Sequence, residues 1–325
     1  MVYKVSSMRP TINLALIISL LFLPFIAGAI ENGSSVPINN AITSPSYILV
    51  ERDTFRIITG KDYHRRLPPA STTKVMTTLL ALENLGGEEI ITPDQNVVAI
   101  PRSKMNLVPG KQYRSADLMK GAMIESANDA AYTLARHIAG SESAFARMMT
   151  ERAREIGAFD TNFENASGLP AHNQYTTPYD LALIFRQALT SDRFLEIVKT
   201  RYFLFEDSAR KVRYKNHNRL LFCFEPAIGG KTGYTRAARH TYVGAFEKNG
   251  KVYILAMLAS QRLWTDSVQI LKTVYDDVPT DEQLRLARAS AVSYSSVKVT
   301  KKKKVASHKK MARKSSAKPK RLAKK

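Results

Sequence analysis

Three short motifs place chemistry-bearing side chains in a fixed order along the chain. Ser71-Thr72-Thr73-Lys74 is an S-x-x-K sequence, Ser126-Ala127-Asn128 is S-x-N, and Lys231-Thr232-Gly233 is K-T-G. A serine hydroxyl is a weak nucleophile at neutral pH and needs an adjacent base. Lys74 follows Ser71 by three residues, one turn further on the same face of a helix, so its amine can reach the hydroxyl. That amine accepts a proton only when neutral, and both desolvation and a neighbouring cation favour the neutral form. Lys231 can supply the cation. Ser126 can bridge the two amines and relay the proton to a leaving group. Together these residues describe nucleophilic acyl transfer through a Ser71 ester.

Each motif has a plainer reading. S-x-x-K recurs at Ser208, Ser295, Ser307 and Ser315, so alone it carries nothing. Ser71 can be an N-cap and Lys74 a solvated lysine of the first turn. Asn128 or Asp129 can be the N-cap of the next helix, and for Asp129 capping is the preferred reading. Lys231 can be an edge-strand lysine that blocks aggregation. Order and context favour the chemical reading. Ser71 opens a helix after Pro68-Pro69-Ala70, Ser126 stands at a helix break, and Lys231 follows Gly229-Gly230. His64, His137, His172, His217 and His240 show no metal spacing and read as surface or packing residues; no metal or cofactor is expected. Cys223 reads as a structural thiol. Arg236 and Arg239 follow K-T-G closely and read equally as carboxylate contacts or solvated charges.

The elements that must position these residues are legible in outline. Runs 47–50 and 55–58 read as a β-hairpin. Helices are expected over 71–85, 115–124, 129–138, 142–156 and 178–189, with Glu125 to Asn128 breaking the second from the third. Runs 241–246 and 252–258 flank Lys248-Asn249-Gly250-Lys251, a strong hairpin signal. A helix over 266–275 follows. Strands at both ends with helices between predict an α+β fold: an antiparallel sheet whose N- and C-terminal strands meet, with a helical block inserted between them.

The sequence resembles the serine-type D-alanyl-D-alanine carboxypeptidases, low-molecular-mass penicillin-binding proteins of peptidase family S11. The likeness covers roughly residues 45–277. It extends from the three motifs to Pro69–Lys74, Glu125–Ala131, Asn165–Pro170, Tyr175–Leu183 and Gly229–Thr235. It implies the penicillin-binding protein and serine β-lactamase-like fold, a peptidoglycan stem peptide ending in D-Ala-D-Ala as substrate, and β-lactams as covalent inhibitors. In that frame Ser71 is the nucleophile, Lys74 its base, Ser126 the relay, and Asn128 the amide that orients Lys74 and substrate. Lys231 and Thr232 hold the terminal carboxylate, and Gly233 lets substrate approach the strand. The backbone N–H groups of Ser71 and Tyr234 form the oxyanion hole. A β-lactamase is the first alternative, but Glu164-Asn165 lacks the E-x-x-L-N pattern that class A enzymes use for deacylation. A DD-endopeptidase or transpeptidase shares the nucleophile and differs in acceptor. An inert penicillin-fold envelope protein is opposed by the intact motifs.

Composition decides where this chemistry works. The chain has 325 residues, one cysteine and a net charge of +21. That charge first suggests nucleic acid, but it is uneven. Residues 298–325 hold 14 Lys and Arg and no acid, and residues 30–297 carry 33 basic against all 28 acidic residues, a net of +5. Residues 1–29, with Lys4 and Arg9, an apolar stretch and Ala27-Gly28-Ala29, read as a secretion signal. Export argues against a nucleic-acid partner and places the protein in the periplasm or another extracytoplasmic space. An extended lead-in is expected over 30–44, the catalytic domain over 45–280, a short helix and linker over 281–297, and a disordered polybasic tail over 298–325. The second β-rich domain and amphipathic anchor of many relatives are not expected. The tail reads as a means of adhesion to an anionic envelope polymer or membrane surface.

Overall fold

A computed structural model describes residues 42–207 and 210–292. The signal segment, most of the lead-in and the basic tail lie outside the described residues. A five-stranded antiparallel sheet organises the fold, in the order β2-β1-β9-β8-β7. Its strands are β1 (Ser46–Glu51), β2 (Ile57–Lys61), β7 (Ala227–Thr235), β8 (Arg239–Lys248) and β9 (Lys251–Ser260). The first strand lies against the last, Ile48 opposite Ala256, as the pattern predicts. The β8–β9 hairpin turns through Asn249 and Gly250, both at positive φ, with Lys248 opposite Lys251. Two consecutive positive-φ residues make the tight turn that matches strand twist, which is why Asn-Gly marks it.

Both sheet faces are buried, and strand alternation divides the side chains between them. Ile48, Val50, Val243, Ala245, Ile254 and Ala256 enter the larger core. Tyr47, Leu49, Tyr242, Phe246, Leu255 and Met257 enter the smaller one. The larger core receives α1 (Lys74–Asn84), α2 (Ser115–Lys120), α3 (Asn128–Ala139), α4 (Glu142–Ile156), α5 (Pro178–Ala188) and α6 (Asp192–Lys199). The smaller core is covered by α7 (Leu220–Cys223), α8 (Leu263–Leu271) and α9 (Asp281–Val292). Two short ladders complete the fold: β3 (Ile90–Ile91) with β4 (Tyr113–Arg114), and β5 (Tyr202–Glu206) with β6 (Lys211–Lys215). Neither these ladders nor α6 is apparent in the sequence pattern, because their residues are short runs without a sustained period.

Asp266 ties the segment just before β1 to the end of the sheet. It is fully buried and accepts from the Thr43 amide (2.9 Å), the Thr43 hydroxyl (2.6 Å) and the Ser260 hydroxyl (2.6 Å). Removing a shared charged acceptor strands three donors, the Ser260 hydroxyl buried and the two of Thr43 part-buried. Asp266→Ala is expected to cost about 3 kcal/mol of unfolding free energy in urea, with Asp266→Asn losing less. A loss below about 1 kcal/mol would show that water replaces the carboxylate there.

Candidate active site

The nucleophile turn forms where helix α1 begins. Ala70–Thr73 make one 3-10 turn, entered through Ala70 at φ 47°, and α1 continues from Lys74. The helix predicted over 71–85 is therefore a tighter turn followed by an α-helix. Ser71 stays partly accessible, whereas Lys74 is completely buried. Lys74 Nζ lies 3.0 Å from Ser71 Oγ, 2.7 Å from Asn128 Oδ1 and 2.6 Å from the Ser167 carbonyl. A neutral amine has two N–H donors and one lone pair. With the donors spent on Asn128 and Ser167, the lone pair is left for the serine proton. Burial, and then the charge of Lys231, hold the Lys74 amine well below the usual lysine range.

A helix irregularity supplies the second wall. After α2 the chain makes a π-helical turn, Gly121–Glu125, and Ser126 follows in the left-handed region (φ 63°, ψ 30°). Such turns frequently occur at functional sites. The strained Ser126 accepts from Lys231 Nζ at 3.0 Å, and the same amine donates to the Thr232 carbonyl at 2.7 Å. Burial pushes Lys231 down to about 7, opposed by the charge of Glu125. Burial likewise raises the Glu125 carboxyl to about 7, with Lys231 pulling the other way. Asn128 is held from behind, its Nδ2 donating to the Pro101 carbonyl (3.2 Å) and to that of Arg102. Asp129 is not the N-cap; Ala127 occupies that position. Its carboxylate accepts from the Met105 and Leu107 amides, at 2.9 and 3.0 Å, and so fixes the loop beside the cleft.

Edge strand β7 closes the site. A Cβ on Gly233 would stand 2.6 Å from the Ser71 amide nitrogen and 2.4 Å from Thr241 Oγ1. Only glycine lets the strand lie this close to the nucleophile. Tyr234 is exposed, its ring against His240 at 4.7 Å. The structure thus gathers Ser71, Lys74, Ser126, Asn128, Lys231, Thr232, Gly233 and Tyr234 around one cleft of about 460 Å³ or in direct contact with its lining. Arg236 and Arg239 are exposed at the β7–β8 turn and do not line the cleft.

Other parts of the site escaped the sequence reading. Asn165 Oδ1 accepts from the Ser167, Gly168 and Leu169 amides, and so aims the Ser167 carbonyl at Lys74. Gly168, at φ 81°, packs on the nucleophile turn; a Cβ there would be 1.8 Å from the Ala70 carbonyl oxygen. Glu142 accepts from the Ala166 amide (3.1 Å) in the same loop, and its raised carboxyl, a consequence of burial, feels the Lys74 charge. Run Asn165–Pro170 was the available signal for this loop. Two histidines read as surface or packing residues, His217 and His240, line the cleft instead. His217 is pushed down to about 4 by desolvation and by the Lys231 and Lys74 charges, with Nε2 3.8 Å from Glu125 Oε2. Glu164 is exposed in a separate pocket beside Arg147 and Arg154, away from Ser71. Cys223 is half-buried, its thiol donating to the Arg219 carbonyl at 3.5 Å and raised by burial.

A serine with a neutral lysine base, flanked by S-x-N and K-T-G at the edge of an antiparallel sheet, defines a penicillin-binding serine hydrolase. Comparison with known proteins agrees. The D-alanyl-D-alanine carboxypeptidase family profile, Peptidase S11, matches residues 31–261. D-alanyl-D-alanine carboxypeptidase DacB2 of Mycobacterium tuberculosis is 34% identical over 234 residues, 70% of this chain and 79% of that one. DacF of Bacillus subtilis is 31% identical over 233 residues, 70% of this chain but only 60% of its own length. The crystal structure of a D-alanyl-D-alanine carboxypeptidase from M. tuberculosis superposes with a TM-score of 0.71 at 30% identity, covering 76% of this chain and 96% of that one. The chain belongs to the S11 family of serine-type D-alanyl-D-alanine carboxypeptidases.

Two measurements test the site. Gly233→Ala is expected to slow acylation by a fluorescent penicillin by at least about 100-fold, the scale of losing an oxyanion donor. Unchanged labelling would detach β7 from the chemistry. Glu125→Gln removes the charge that raises Lys231, so the Lys231 amine loses its proton at lower pH. The alkaline limb of the acylation profile is then expected to move to lower pH. A limb that stays in place, or rises, separates Glu125 from Lys231.

Proposed function

We propose that this protein removes the terminal D-alanine from peptidoglycan stem peptides through a Ser71 acyl-enzyme. The observation that carries the reading is the completely buried Lys74 amine, 3.0 Å from Ser71 Oγ with both N–H groups of its neutral form occupied. Ser71 Oγ attacks the penultimate D-Ala carbonyl and its proton passes to Lys74. The Ser71 and Tyr234 amides stabilise the tetrahedral oxyanion. The C–N bond breaks, and Ser126, which accepts from Lys231 at 3.0 Å, passes a proton to the departing amine. Lys231 and Thr232 hold the terminal carboxylate. Asn128 orients Lys74 and the substrate backbone, and water then hydrolyses the ester. A penicillin enters the same path and stops at the ester. The exposed position of Glu164 supports slow deacylation over β-lactamase turnover.

Exchanging one residue tests this reading. Wild type is expected to form a stable adduct with a fluorescent penicillin and to release D-Ala from a pentapeptide, and Ser71→Ala to do neither. Lys74→Ala is expected to abolish acylation with the fold intact. Labelled Ser71→Ala would dismiss the nucleophile, and rapid penicillin turnover would favour a β-lactamase.

The placement rests on sequence. Residues 1–29 act as a secretion signal, 45–280 as the catalytic domain, and 298–325 as a polybasic segment that adheres to anionic envelope polymers or headgroups. Each basic residue near an anionic surface contributes about 1 kcal/mol, so the tail's charges can replace an apolar anchor. Among the described residues no helix is long and apolar enough to cross a membrane. Deleting 298–325 is expected to leave soluble-substrate activity and to release the protein from envelope fractions in low salt. A truncated form that fractionates like the intact chain would end the adhesion reading.

A further inference from the structure

The cleft is larger than the catalytic residues need. Beyond Ser71, Ser126, Thr232 and Gly233 it is lined by the β6–α7 connection, by Leu263 and Trp264 at the start of α8, and by Ala287 and Arg288 on α9. Helix α9 lies after the segment matched by the family profile, which ends at residue 261. It is nevertheless built into the wall. Leu284 and Ala287 are buried, and Lys215 Nζ donates to the Ala287 carbonyl at 2.6 Å.

Strand geometry says which end of a substrate faces this arm. Thr232 is opposite Tyr242 in the ladder, so the two side chains share a sheet face. The Tyr242 ring meets Trp264 edge-on at 5.8 Å. Lys231 and Gly233 alternate onto the other face, toward Ser126 and Ser71. The arm walled by Trp264 is therefore on the Thr232 side. If Thr232 contacts the terminal carboxylate, as in the reading on which this inference rests, the arm receives the side chain of the departing residue.

The lining chemistry is specific. Leu263 and Trp264 offer an apolar surface. Arg219 stands over the Trp264 ring, 5.6 Å from its centroid, and lies close enough to Arg288 for the second charge to oppose the first. Among the described residues neither guanidinium has a carboxylate in ion-pair range. Two cations facing one cavity without an acid repel each other until an anion enters.

We propose that this arm is a leaving-group subsite for a D-amino acid whose aliphatic side chain ends in a carboxylate, held along Trp264 and paired with Arg219 and Arg288. The reaction is the same acyl transfer. The amide between the penultimate D-Ala carbonyl and the α-nitrogen of that residue breaks, the Ser71 ester forms, and the serine proton leaves on the released amine. Water later cleaves the ester.

The test uses the full chain and three peptides of one sequence ending in D-Ala-X, where X is D-alanine, D-2-aminoadipate or D-norleucine. The last two have nearly the same side-chain length and differ in charge. Wild type is expected to cleave the aminoadipate peptide about tenfold faster in kcat/KM than the norleucine peptide, the scale of one charge-assisted contact. Arg288→Ala, at an exposed helix position, is expected to bring that ratio near one, and Arg288→Lys to keep most of it. Equal wild-type rates for the two peptides, or a ratio untouched by Arg288→Ala, would overturn the proposal. Wild type that turns over aminoadipate in an Arg288-dependent way but releases no D-Ala would refute the proposed release of terminal D-alanine while sustaining the subsite.

Discussion

A lysine amine kept unprotonated at neutral pH is the constraint on which the site depends. In water the Lys74 amine would be a cation and useless as a base. Complete burial raises the cost of its charge, and Lys231 raises it further. Burial alone would leave the neutral amine free to rotate. Its orientation comes from two acceptors on different parts of the chain, Asn128 Oδ1 on α3 and the Ser167 carbonyl in the loop before α5. The active base is thus a product of long-range packing, although it sits three residues from its nucleophile.

Much of the surrounding architecture holds those two acceptors and the second cation in place. The π-helical turn delivers Ser126 in a left-handed conformation, which lets Asn128 start α3 with its amide facing inward. Asp129 then fixes the loop at 105–107, and the Pro101 and Arg102 carbonyls hold Asn128 from the other side. Asn165 and Gln174 shape the loop that presents the Ser167 carbonyl. Two glycines permit the close contacts: Gly168 against the Ala70 carbonyl and Gly233 against the Ser71 amide. The left-handed Ser126 is strained backbone of the kind that persists where the surroundings over-determine it.

The sequence carried the fold well where a period or a turn signal ran for several residues. The β8–β9 hairpin, α4 and the meeting of β1 with β9 all follow from such signals. Ser71, Lys74, Ser126, Asn128 and Lys231 were legible because chemistry requires their types and their order. Their partners were not. The Ser167 carbonyl has no side-chain signature, and Asn165 acts through three backbone amides that any sequence possesses. Asp129 fitted a capping pattern by position, but its carboxylate reaches across to a loop more than twenty residues away. His217 and His240 belong to the cleft through the β5–β6 ladder and the sheet edge, neither of which a single histidine announces.

The charge of the chain divides along the same line between local pattern and tertiary placement. Fourteen basic residues after position 297 form a run that sequence reveals at once. That run lies outside the described residues. The charges that matter to chemistry are fewer and come from separate elements: Lys231 on β7, Arg219 before α7 and Arg288 on α9. They face a cleft whose low-dielectric walls strengthen each interaction. Ser71 and Lys74 cannot vary without losing the base, but a wall residue on α9 can. Selectivity for the departing residue therefore belongs to the elements that are least constrained by the nucleophile.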